Sequence, residues 1–188
     1  KDGLANVRAE KVMAPRWVRG RESAVIVDPP EHPMAMLGLG GSVATPPGGI
    51  EADVLVVTDF KDLEARAAEA RGKIVLFNVP YTTYGETVPY RAGGATAAAR
   101  HGAVASLVRS VGPIGHRTPH TGGMNYGEAA VRIPTAAISV EDANRIQRLS
   151  ERGVRVRVRL SMEAHFEADV ESANVLGEIV GREFPKEV

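Results

Sequence analysis

The sequence of 188 residues contains no cysteine. That excludes disulfides, thiolate metal sites and a cysteine nucleophile, and leaves the redox compartment open. Neither sign of charge is in excess: Lys plus Arg is 23 and Asp plus Glu is 23. Polyanion-binding domains carry a basic surplus, so nucleic acid is not an expected partner. No apolar run approaches the roughly 20 residues that a membrane helix needs, so membrane insertion is not expected. The chain opens Lys1-Asp2-Gly3 without an initiator Met or a signal peptide, and reads as a piece of something larger. What is present is globular: 44% hydrophobic and 24% charged residues. The length suffices for a core that needs no covalent staples.

Short extended runs fill the first 45 residues, at 7–12, 24–27 and 34–39. Thr45-Pro46-Pro47-Gly48-Gly49 is the strongest punctuation and marks a boundary. Beyond it, buried strands alternate with helices. Asp53-Val54-Leu55-Val56-Val57 is a strand apolar on both faces. A helix follows over about 59–71, closed by Gly72. Another strand occupies 73–77, and a loop rich in Tyr and Thr spans 81–90. An Ala-rich helix over 91–101 and a strand at 103–108 come next. The loop 109–132 holds five glycines and two prolines. Loops that long are functional or disordered. A strand at 133–138 leads to a helix capped by Ser139, with Asp142 as capping-box partner. Residues 154–162 alternate, apolar on one side and Arg155, Arg157 and Arg159 on the other. A strand at 173–180 closes the described pattern, and another begins at Lys186-Glu187-Val188. Alternating strands and helices predict α/β architecture with a partly parallel sheet.

No single motif carries chemistry. Gly38-Leu39-Gly40-Gly41-Ser42-Val43 has Val where a dinucleotide loop requires its third Gly, and Pro46 and Pro47 forbid the following helix. Ser42 lacks the second Gly of a nucleophile elbow. His116 and His120 are four apart, but Gly115 and Pro119 deny them a zinc-binding helix. His116, Arg117, His120 and Tyr126 read best as contact residues on a loop reaching toward a ligand or another domain. An exposed polar loop is the plainer alternative. The arginine stripe reads as a solvated face that guards an edge strand. Trp17 reads as packing. Tyr81, Tyr84 and Tyr90 either line a groove or a dimer contact, or anchor their loop.

Seven segments, taken in order, carry a resemblance. They are Gly3-Leu4-Ala5-Asn6-Val7, Leu37-Gly38-Leu39-Gly40, Ala70-Arg71-Gly72-Lys73-Ile74-Val75, Arg109-Ser110-Val111, Pro119-His120-Thr121-Gly122, Ile133-Pro134-Thr135-Ala136 and Val140-Glu141-Asp142-Ala143. Together they resemble the carboxypeptidase Q (plasma glutamate carboxypeptidase) family of di-zinc exopeptidases over nearly the whole chain.

The resemblance implies a protease-associated (PA) domain at 46–168. It is an α/β domain whose sheet curls into an open barrel, with about three helices outside. Residues 1–45 and 169–188 would be flanking strands of the parent's catalytic domain. The PA domain would be a non-catalytic lid over the cleft of an enzyme releasing single amino acids from dipeptides or short peptides. Two zinc ions are expected in that parent, held by residues beyond Val188. No catalytic residue and no metal ligand is carried over, because no His in this chain is followed two places on by Asp. The implied substrate-facing loop includes His116, Arg117, His120, Thr121 and Tyr126. Implied partners are the parent's catalytic domain, its peptide substrate and a second copy in a homodimer. The implied location is extracytoplasmic, periplasmic or secreted. The competing expectation is a free-standing PA module that binds protein or peptide with no peptidase attached.

Overall fold

The computed structural model describes residues 3–28 and 30–184. The strand expected at Lys186-Glu187-Val188 lies outside them. The chain divides into two units, Lys1–Arg16 with Phe166–Val188, and Trp17–His165.

The first unit is a two-stranded ribbon of β1 (Ala5–Val18) and β10 (His165–Glu178). Both strands run longer than their apolar segments suggested, because each supplies the other's partner. Cross-strand pairs descend in order: Asn6 Nδ2 donates to Glu178 at 2.6 Å, Lys11 meets Glu171 at 3.1 Å, and Arg16 meets Glu167 at 3.1 Å. The ribbon is therefore antiparallel.

The second unit is built on one eight-stranded sheet. Its strands are β2 (Glu22–Asp28), β3 (His32–Pro33), β4 (Met36–Gly38), β5 (Ile50–Val57), β6 (Ile74–Phe77), β7 (Ala105–Arg109), β8 (Thr135–Ile138) and β9 (Arg157–Met162). The spatial order is β3-β2-β9-β5-β6-β7-β8-β4. β5 to β8 are parallel, in the register Val54↔Ile74, Ile74↔Ala105 and Ser106↔Thr135. β2, β4 and β9 pair antiparallel with their neighbours. The sheet curls. β4 lies at one edge and β2 next to the other, yet Gly38 N–H donates to Glu22 Oε2 at 3.0 Å.

Among the described residues, four helices cover the sheet: α1 (Phe60–Ala65), α2 (Ala67–Ala70), α3 (Tyr84–Arg100) and α4 (Val140–Glu151). The parallel strands are buried on both faces, which is why they read as unbroken apolar runs. On one face Ile74, Leu76, Leu107 and Ile138 pack with Ala143 and Ile146 of α4. On the other, Val57, Val75 and Phe77 pack with Leu63 of α1 and Ala95 and Ala98 of α3. Gly94 lets α3 approach closely, since a Cβ there would lie 2.9 Å from the Phe77 ring.

Three local expectations change. The helix expected at 59–71 breaks at Arg66, whose backbone N–H caps α1 and whose Nη1 donates to Val56 O at 2.8 Å. The helix expected to start at Arg91 starts at Tyr84, and the supposed loop 81–90 is mostly helical. Thr83 caps it by accepting from Glu86 N–H at 3.3 Å. Pro89 lies in the second turn and costs the helix one i→i−4 bond. Finally, β9 is not an edge strand. It lies between β2 and β5, and its arginines and the preceding Arg155 face carboxylates on β5: Arg159 to Glu51 at 2.8 Å, Arg157 to Glu51 at 3.4 Å and Arg155 to Asp53 at 3.6 Å. The stripe is a row of cross-strand ion pairs rather than a guard against edge pairing.

Candidate functional site

The loop between β7 and β8 follows the carboxyl end of a parallel strand, where open α/β sheets place ligands. It is pinned at several points. Ser110 Oγ donates to Ile138 O at 2.7 Å and accepts from His120 N–H at 2.8 Å. Thr121 Oγ1 donates to Gly38 O at 3.1 Å. Gly40 N–H donates to Gly122 O, and Met124 N–H donates to Gly40 O, each at 2.9 Å. The Gly-rich turn 38–41 is thus a cradle for this loop, not for a phosphate. Gly41 adopts φ +94, which glycine alone adopts without strain.

Arg117 fixes the loop's outer end. Its Nη2 donates to Pro33 O at 2.9 Å and to both oxygens of Asp142 at 3.1 Å. Asp142 also accepts from Ala35 N–H at 2.8 Å and from Ser139 Oγ at 2.8 Å, and His32 Nε2 lies 3.0 Å away. Burial alone pushes this carboxyl up. The hydrogen bonds from Ala35, Ser139, His32 and Arg117 outweigh it and hold the group below the usual range. Because of this anchoring, two consecutive non-glycine residues, His116 (φ +54) and Arg117 (φ +48), stay in the left-handed region. The His116 side chain is exposed.

The five residues singled out in the sequence therefore fall at separate anchor points. His116 and Arg117 sit over the start of α4. His120 is exposed and Thr121 half-buried, beside Ser110 and Gly38. Tyr126 is buried at 7% exposure. Its phenol donates to Ile133 O and accepts from Val43 N–H at 3.2 Å, and burial raises its pKa. Its side chain holds the loop from inside. Ser42 is likewise buried: its Oγ donates to Val43 O and accepts from Thr135 N–H at 2.9 Å. That hydroxyl is a structural link between the cradle and β8.

Two arginines beside this loop were given no functional role in the sequence, although Arg109 opens one of the segments that carry the resemblance. Arg109, at the end of β7, donates only to amide oxygens, Asn144 at 2.9 Å and Asn78 at 3.4 Å. Burial without an acidic partner lowers its pKa. Arg91 on α3 lies against Gly122 and donates to Tyr84 Oη at 2.7 Å. Arg91 carries no motif signal, since it sits in an Ala-rich helix, and the Arg109-Ser110-Val111 segment says nothing of what the guanidinium meets.

Among the described residues, no group of three or more His, Asp or Glu side chains is placed to hold a metal ion. No metal-dependent step is assigned to the described residues. Among the described residues, no helix is long and apolar enough to cross a membrane.

The PA domain family model matches residues 38–146. Carboxypeptidase Q of Mus musculus is 50% identical over all 188 residues, which cover 40% of the mouse protein. The chain thus spans about two fifths of the length of the curated relatives it matches. Among solved structures, the peptidase M28 precursor of Shewanella amazonensis is 36% identical with a TM-score of 0.87, over 92% of this chain and 41% of that one. A zinc aminopeptidase from Bacillus subtilis shares the fold, with a TM-score of 0.60 at 20% identity over 95% of this chain and 38% of that one.

Proposed function

The chain belongs to the PA domain family, and from that premise we propose that it is the non-catalytic lid of a di-zinc exopeptidase similar to carboxypeptidase Q. The parent would release single amino acids from dipeptides or short peptides, outside the cytoplasm, with both zinc ions held by residues beyond this chain. One observation carries the reading. The 50% identity runs over the whole chain, including the ribbon strands, and not over the PA region alone. In this reading the PA lid is residues 46–168, and residues 1–45 and 169–188 are flanking strands of the catalytic domain. A homodimer built partly on this domain belongs to the same reading.

In this reading the lid excludes water and helps position substrate while contributing no reacting group. His116, Arg117, His120 and Thr121 are the candidates for facing the cleft, and Tyr126 holds the loop in place. The test is steady-state kinetics of the full-length protein. His120→Ala is expected to raise KM or lower kcat for dipeptides, while the isolated 188-residue chain hydrolyses none. Unchanged kinetics across several dipeptides would remove His120 from the cleft. Hydrolysis by the isolated chain would end the non-catalytic reading.

A second reading, a free-standing peptide-binding module, is favoured by one feature. An open groove of about 950 Å³ lies between α3 and residues 125–131, lined in part by Phe60, Ala97, Ala129 and Val131.

A further inference from the structure

We propose that Arg91 and Tyr84 on α3 form a carboxylate-binding site. The claim rests on this chain's own side chains, and it stands whether or not a peptidase accompanies them.

Arg91 is 7% exposed, so its guanidinium has lost most of its water. Burial of a cation without a counter-charge is costly. Among the described residues no carboxylate meets it, and its one hydrogen-bond partner is the neutral Tyr84 phenol. Its Nε is enclosed and has no partner. The nearest acid along the helix, Glu86, is engaged elsewhere, accepting from Thr82 and Thr83 hydroxyls at 2.7 and 3.2 Å.

The geometry also defines what would fit. Gly122 covers the guanidinium, where a Cβ would stand 2.6 Å from Cζ. Only glycine lets the loop lie so close, and on its other side the guanidinium is bordered by Tyr84, whose ring centroid lies 5.5 Å from Cζ. Tyr84 is 51% exposed. Its Oη accepts from Arg91, and its own O–H has no acceptor among the described residues. A phenol polarised by a guanidinium is a stronger donor. The pair therefore offers two donors to one planar anion, the phenol O–H and the guanidinium, in charge-assisted bonds. One cation balances one negative charge, which selects a carboxylate over a doubly charged phosphate. The carboxylate could belong to a peptide C-terminus or to an Asp or Glu side chain.

The test is ¹H–¹⁵N NMR of the 188-residue chain at fixed ionic strength, following the Gly122 and Gly123 amides and the Arg91 Nε–H. The titrants are N-acetylglycine, the α-amide of N-acetylglutamate, neutral N-acetylglycinamide and inorganic phosphate. Saturable millimolar binding of either carboxylate, with none of the neutral amide, is expected. The tighter carboxylate identifies the source. Tyr84→Phe should weaken binding about tenfold, with the far-UV circular dichroism and melting curve of the variant checking that it still folds, and Arg91→Lys should weaken it at least as much. No saturation by either carboxylate, equal binding by the neutral amide, tighter binding of phosphate, or unchanged affinity in Tyr84→Phe overturns the proposal.

Discussion

Asp142 is the polar hub of the second unit, and its removal is the sharpest test of how the loop is held. The carboxyl is 2% exposed and stands at the third position of α4, where an acid also favours the helix dipole. Asp142→Ala strips the acceptor from Ala35 N–H and from Ser139 Oγ, both at 2.8 Å. Each bond to a buried ionised group contributes about 1.5–3 kcal/mol. The Arg117 pair adds less, because that side chain is 47% exposed and water screens it. The two bonds alone sum to about 3–6 kcal/mol, which lowers Tm by roughly 10–20 °C in a chain of this size. The assay is thermal unfolding followed by circular dichroism, at pH 7 and at steps down to pH 3. Asp142→Asn, which mimics the protonated form, separates charge from shape. The folded pKa of Asp142 lies below its unfolded value. Its contribution is therefore complete above the unfolded pKa of about 3.9 and is lost as pH falls through the lower folded value. The deficit of the Asn variant should be flat from pH 7 to 5 and shrink below about pH 4. A Tm drop under about 3 °C for Asp142→Ala, or an Asn deficit that grows on acidification, refutes the hub.

Other outcomes follow from the same contacts. Burial raises the Glu22 pKa against the opposing Gly38 N–H and Arg19, so its stability contribution has the opposite sign. The protein gains relative to Glu22→Gln as pH falls through the raised folded pKa toward the unfolded one, and loses as pH rises; parallel melting curves of the two proteins across that range would contradict this. Gly94→Ala drives a methyl to 2.9 Å from Phe77, a ring already held by Phe60 and Tyr90. A loss of about 1–3 kcal/mol in urea unfolding is expected. Tyr126→Phe leaves Val43 N–H and Ile133 O without their phenol partner. Hydrogen exchange should quicken at Val43 and through residues 127–132, with a stability loss of about 1–2 kcal/mol; exchange unchanged at Val43 would show that the phenol is not its anchor.

Much of the fold was legible because burial on both faces leaves an unmistakable signal. The runs at 53–57, 73–77 and 103–108 announced parallel strands, and Ser139 with Asp142 announced the start of α4. The start of α3 was hidden. Gly85 and Pro89 read as loop residues, and only the caps at Thr82, Thr83 and Glu86 outweigh them. The candidate site was legible as a loop but not as an arrangement. The sequence placed His116, Arg117, His120, Thr121 and Tyr126 in one segment and could not say that Tyr126 turns inward.

What the sequence by itself determined is therefore local: periodicity, caps and the Gly and Pro punctuation act within a few residues. The tertiary structure alone decided the contacts between distant segments. It brought Gly38–Gly41 beneath residues 121–124, some eighty positions away, and turned a seeming dinucleotide loop into a cradle. It set β9 between β2 and β5, so that the arginine stripe faces Glu51 and Asp53. It buried Arg91 beside Gly122 with only a phenol for company. Composition records that a charge exists, but only packing decides whether water or a counter-charge remains beside it.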